Sequence, residues 1–168
     1  MMFDTIAGLP LHPLVVHATE VIVPSAALVV ALAALWPLFR RWARLLPLGL
    51  ALVALILVPI STQSGEALQE RVRDSALIST HADLAEGLLP WSLGLVVVAA
   101  VLLWWNRKEA EVRTASAPKW VALALAVTAV VAATGTTFQA VRVGHSGATA
   151  VWSQTTSTPP SAQAVDKN

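Results

Sequence analysis

Cysteine is absent from the 168 residues. That removes disulfides, thiolate metal sites, iron–sulfur clusters and covalently attached c-type haem in one step. Charge is scarce as well: Asp, Glu, Lys and Arg together make up 12% of the chain, about half their share in an ordinary soluble domain. A net charge of +1 leaves no basic field for nucleic acid. No nucleophile–base arrangement, phosphate loop or hydrolytic motif is present. Residues 1–13 contain Asp4 but neither Lys nor Arg, so they are not expected to act as a secretory signal peptide, which needs a basic start.

What remains is apolar. Hydrophobic residues are 56% of the chain and the mean hydropathy is +0.67, a combination that implies an integral membrane protein. Runs long enough to cross a bilayer predict an all-α, up-down four-helix transmembrane bundle over residues 1–152, with spans at about 14–38, 45–66, 81–105 and 119–143. Residues 153–168, rich in Ser, Thr, Pro and Gln, are expected to be a disordered tail. Ser79 or Thr80 is expected to cap the third helix. Gly144-His145-Ser146-Gly147 is expected to follow the fourth.

The turns after the first and third spans hold seven Lys and Arg, against four on the other side. The positive-inside rule then places those turns in the cytoplasm and both termini outside, in a bacterial inner membrane. Trp36, Trp42, Trp104, Trp105 and Trp120 gather at the cytoplasmic edge, as an interfacial belt would.

At 1.5 Å per residue, His17, Glu66, His81 and His145 stand about 33–39 Å above the cytoplasmic basic residues, at the outer rim. Glu20, Gln63, Glu86, Gln139 and Arg142 form a polar layer at about 29–35 Å. One histidine at a helix mouth is an ordinary interfacial residue. His12, His17, His81 and His145 all at one end form a candidate site. Arg142 is expected to neutralise Glu20 or Glu86, because an unpaired charge there is costly. A faint duplication runs through the same region. His17-Ala-Thr-Glu20 with Pro24 parallels His81-Ala-Asp83 with Glu86 and Pro90, and Ser64-Gly65 parallels Ser146-Gly147, so two parallel hairpin repeats would share an axis along the membrane normal.

The run Leu9-Pro-Leu-His-Pro-Leu-Val-Val-His17, with Ser64-Gly65-Glu66, an early His81 and Gly144-His145, resembles a bacterial family of small four-helix inner-membrane proteins defined as a domain of unknown function. The likeness covers about residues 3–150. It implies a multi-pass membrane protein without an assigned activity. Some relatives carry fused Rieske-type iron–sulfur domains, a hint of redox work.

Three functions stay open. Two imidazoles on facing helices can hold haem b for electron transfer, with His17 and His81 as the expected ligands and His12 and His145 in supporting roles. His17, His81 and His145 with Glu66 can hold a Cu, Zn or Fe ion. A cofactor-free membrane subunit can use its polar end to bind a partner. The bilayer is the certain neighbour; a redox partner on the outer face and homo-oligomer formation are further expectations.

Overall fold

A computed structural model describes residues 5–6, 9–70, 75–111 and 118–156. A two-residue antiparallel ladder, β1 (Thr5–Ile6) with β2 (Leu9–Pro10), precedes the first helix. The helices are α1 (Leu11–Leu35), α2 (Pro37–Ala43), α3 (Leu46–Gln69), α4 (Ala76–Glu86), α5 (Leu88–Glu111) and α6 (Lys119–Thr156). Among the described residues, four stretches are long and apolar enough to cross a membrane: Leu11–Leu35, Leu46–Gln69, Ala76–Glu109 and Lys119–Ser153. The third span is α4 and α5 end to end. Pro90 has no N–H to offer the Glu86 carbonyl, and Gly87 is a weak helix former beside it, so the helix parts there. Pro24 and Pro59 lie inside helices that stay continuous.

The helices form the expected all-α bundle. α1 packs on α3 and α6, and α5 packs on the same two, so successive spans are neighbours and α1 and α5 face each other across the diagonal. The centre is built from small residues: Ala26, Ala27, Ala33, Ala51, Ala54, Ala129, Ala133 and Ala140 are buried. Small side chains let helix backbones approach closely where lipid gives no hydrophobic drive to association. Leu28, Leu35, Ile56, Val97, Leu123 and Val131 are exposed on the outside, where acyl chains would cover them.

The internal duplication is plain in the burial pattern. A shift of 69 residues carries Thr19, Val23, Ala26, Val30 and Ala33 onto Leu88, Ser92, Leu95, Ala99 and Leu102, every one of them buried. A shift of 82 carries Pro47, Ala51, Ala54 and Val58 onto Ala129, Ala133, Thr136 and Ala140, again all buried. Two helical hairpins, α1–α3 and α4/α5–α6, therefore bury the same faces.

Several boundaries differ from the sequence expectation. Arg40 and Arg41 belong to the short helix α2 rather than to an open turn. The third span begins a turn earlier, and its cap is Ser75, whose Oγ accepts from the Ile78 N–H at 3.3 Å. Ser79 and Thr80 instead donate back to the Ala76 carbonyl. The fourth helix does not stop near Val143; His145 through Thr156 continue it. Four residues assigned to the tail are thus helical, and the remainder, 157–168, lies outside the described residues.

Candidate functional site at the histidine end

α1 starts and α6 finishes at the same end of the bundle, and all four histidines lie there. Two of them turn inward. His12, in the first turn of α1, sets its Nδ1 at 3.1 Å from the Ser61 carbonyl and 3.2 Å from Ser64 Oγ on α3. His81, on α4, sets its Nδ1 at 2.9 Å from Ser146 Oγ on α6. Ser64 donates to Ser61 O at 2.9 Å, and Ser146 donates to Val143 O at 2.8 Å. The two arrangements superpose under the same shifts: 69 takes His12 to His81, and 82 takes Ser61, Ser64 and Gly65 to Val143, Ser146 and Gly147.

The glycines explain how the rings fit. A Cβ on Gly65 would stand 3.0 Å from His12 Cε1, and one on Gly147 would stand 3.0 Å from His81 Cε1. Each imidazole lies against helix backbone that a larger residue would push away. The hydrogen bonds also fix the tautomer. Each serine spends its single hydrogen on a carbonyl three residues back, and a carbonyl can only accept. The Ser61 carbonyl thus puts the ring hydrogen of His12 on Nδ1 and leaves its Nε2 a free lone pair; with Ser146 donating to Val143, His81 takes the same tautomer.

His17 and His145 are placed differently. Both are exposed; His17 Nδ1 donates to the Pro13 carbonyl of its own helix. The counterpart of His81 in the first hairpin is therefore His12, not His17. An alignment of the duplication on His17 is five residues out of register. The spacing from each histidine to its Ser-Gly pair on the next span differs between the hairpins, 52 residues against 65, so the right register shows only in the packing.

The polar layer is only partly shared among the helices. Gln63, Glu66 and Glu86 are exposed. Gln139 is buried, donates to the Leu84 carbonyl at 2.6 Å and lies over Gly87. Glu20 is half-buried, its carboxylate against Gly144. Arg142 is exposed, its guanidinium 5.8 Å from the centre of the Phe138 ring. It makes no ion pair with Glu20 or Glu86, which corrects the expected neutralisation. The ion pair among the described residues is at the opposite end, Arg40 to Glu109 at 2.8 Å. No three His, Asp or Glu side chains among the described residues converge as metal ligands, so His17, His81, His145 and Glu66 are not brought together.

A family model described as "Predicted membrane protein (DUF2231)" matches residues 8–160. The chain belongs to this family. The match takes in the whole bundle and both histidine cradles. Searches of curated proteins and of solved structures found no match. DUF2231 membership and the four spans together make this a multi-pass membrane protein.

Proposed function

We propose that the protein binds one haem b at the histidine end, where the imidazoles of His12 and His81 would hold it, and serves electron transfer there. The observation that carries this reading is the pair of fixed tautomers. Metal-bound imidazoles characteristically donate their second ring N–H to a carbonyl or similar acceptor, which orients the ring and raises the basicity of the ligating nitrogen. His12 and His81 have that partner already.

The donor count favours haem over a bare ion. A porphyrin brings four equatorial nitrogens, so two imidazoles complete the iron. Copper, zinc or non-haem iron usually takes three or four protein ligands, and no third ligand converges among the described residues. The alanine-packed centre is too tight for a porphyrin, so the group belongs at the mouth of the bundle. When bound it would supply a one-electron couple. Ser64, Ser146 and their two carbonyls would hold the imidazoles in place, and the packed centre would keep water from passing below. The excess of Lys and Arg at the other end supports a bacterial inner-membrane location, with the histidine end and a redox partner outside the cytoplasm.

The test is an absorption spectrum of protein produced with ample haem. A low-spin bis-imidazole spectrum is expected, lost in His12→Ala and in His81→Ala and kept in His17→Ala and His145→Ala. A missing Soret band overturns the reading. Stoichiometric copper, zinc or iron without that band would point to the bare ion, and neither cofactor to a scaffold subunit.

A further inference from the structure

We propose that the groove between α1 and α6 binds one ethanolamine phospholipid, gripped by Glu20 and Arg142. The groove is shallow and open along one side, with a volume of about 470 Å³. Pro24, Leu28 and Ala31 form one wall, and Ala133, Thr137 and Phe138 the other. Leu28 and Phe138 are exposed, so the groove opens sideways to lipid. A hydrocarbon chain matches its length-wise apolar surface.

Two opposite charges lie one helical turn past the groove's lining at the histidine end. Glu20 lies one helical turn beyond Pro24, with its carboxylate against Gly144 of α6. Pro24 has no N–H, so the Glu20 carbonyl also lacks its intrahelical donor. Arg142 lies one turn beyond Phe138 and holds its guanidinium over that ring. The two flank the groove from different helices but do not form an ion pair with each other, and neither has another ion-pair partner among the described residues. Ionisable groups at such a position are costly unless something pairs them.

A zwitterionic headgroup answers both charges at once. Its phosphate can take a charge-assisted, two-pronged contact from Arg142, while its ammonium donates to Glu20. Ethanolamine fits better than choline because its nitrogen has hydrogens to donate, as a carboxylate requires. An anionic glycerol headgroup would satisfy Arg142 and leave Glu20 without a cation. The site shares no residue with the histidine pair, so either proposal can fail alone.

Native mass spectrometry of the full chain reads this directly. Delipidated protein is titrated with phosphatidylethanolamine, phosphatidylcholine or phosphatidylglycerol of identical chains, with circular dichroism confirming helix content. One retained phosphatidylethanolamine per chain is expected, preferred roughly tenfold over the other two, the effect of about one charge-assisted bond. Glu20→Gln and Arg142→Gln should each erase that preference. Leu28→Trp, which fills the groove from an exposed position, should weaken retention of all three lipids. Should Glu20→Gln fail to fold, the exposed Arg142 and Leu28 variants still decide. Equal retention of the three lipids, a preference unchanged in Arg142→Gln, or retention unchanged in Leu28→Trp overturns the site.

Discussion

In the first hairpin His12 leans on Ser64 and Gly65, and in the second His81 leans on Ser146 and Gly147; away from these cradles the two hairpins part. Where the second has Trp91 lying across Gly135, the equivalent positions of the first are Ile22 and Val53. A large–small pair in one half answers a medium–medium pair in the other, so volume is kept while shape changes. Arg40 and Glu109 are also equivalent under the shift of 69, yet they bond to each other. Residues near a two-fold axis meet their own counterparts. Identical halves would set two like charges face to face there, and opposite charges on equivalent positions remove that conflict. The duplication thus keeps what the imidazoles need and breaks where strict symmetry would be costly.

Making the axis symmetric is the harshest test. Arg40 is 9% exposed, with Nε unpaired, and depends on Glu109 for its charge partner. Glu109→Lys should lower unfolding stability in detergent by about 3 kcal/mol, since an uncompensated buried charge is costly and repulsion adds to it. The swap Arg40→Glu with Glu109→Arg should recover much of the loss. A drop below about 0.5 kcal/mol, the level of an ordinary surface substitution, would remove the pair from the axis.

Next comes the exchanged packing. A Cβ on Gly135 would fall 2.0 Å from Trp91 Cζ3, an overlap that the ring must move to relieve. Gly135→Val should destabilise by about 2 kcal/mol. Adding Trp91→Ile, which copies the first hairpin into the second, should restore most of it. If the double variant is no better than the single, the equivalence of the two interfaces fails.

Much of this was legible in the chain. Length, apolar content and the spacing of Arg clusters implied four spans, because crossing a bilayer fixes how many apolar residues are needed. The gathering of polar groups at one end was legible for the same reason, as helical rise converts residue number to height. Which way a side chain turns was not. His17 shares a face with Glu20 and Pro24 on a helical wheel, yet lies outward, while His12 enters the bundle because Gly65 leaves room for it. Height can be counted from sequence, but azimuth depends on the neighbouring helix. Arg142 shows the same limit: matched in height with Glu20, it stacks on Phe138 instead.

The serines offer a sharper comparison at smaller amplitude. Ser64→Ala and Ser146→Ala should each cost about 1–2 kcal/mol, the bond to the imidazole and the bond to the carbonyl three residues back. Double-mutant cycles should couple His12 to Ser64 and His81 to Ser146, with no coupling for the crossed pairs His12–Ser146 and His81–Ser64. Comparable coupling in the crossed pairs would mean that the two cradles act as one network.

The smallest expected effect concerns where the hairpins begin. Ser75 caps α4 by accepting the Ile78 N–H, and its equivalent in the first half is Ile6, which lies in the β1–β2 ladder rather than at a helix start. A helix start leaves N–H groups without carbonyl partners, and a serine hydroxyl answers one of them. α4 therefore carries an extra turn before its histidine, whereas α1 begins one residue before His12. Ser75→Ala should lower stability by about 0.5–1 kcal/mol, while Ser75→Asp should hold it, since a carboxylate caps equally well and suits the positive end of the helix. Hydrogen exchange should locate the change in the amides of residues 76–79, with the first hairpin unaffected. Faster exchange spread over α1 as well would mean that the cap supports the whole histidine end and not the start of one helix.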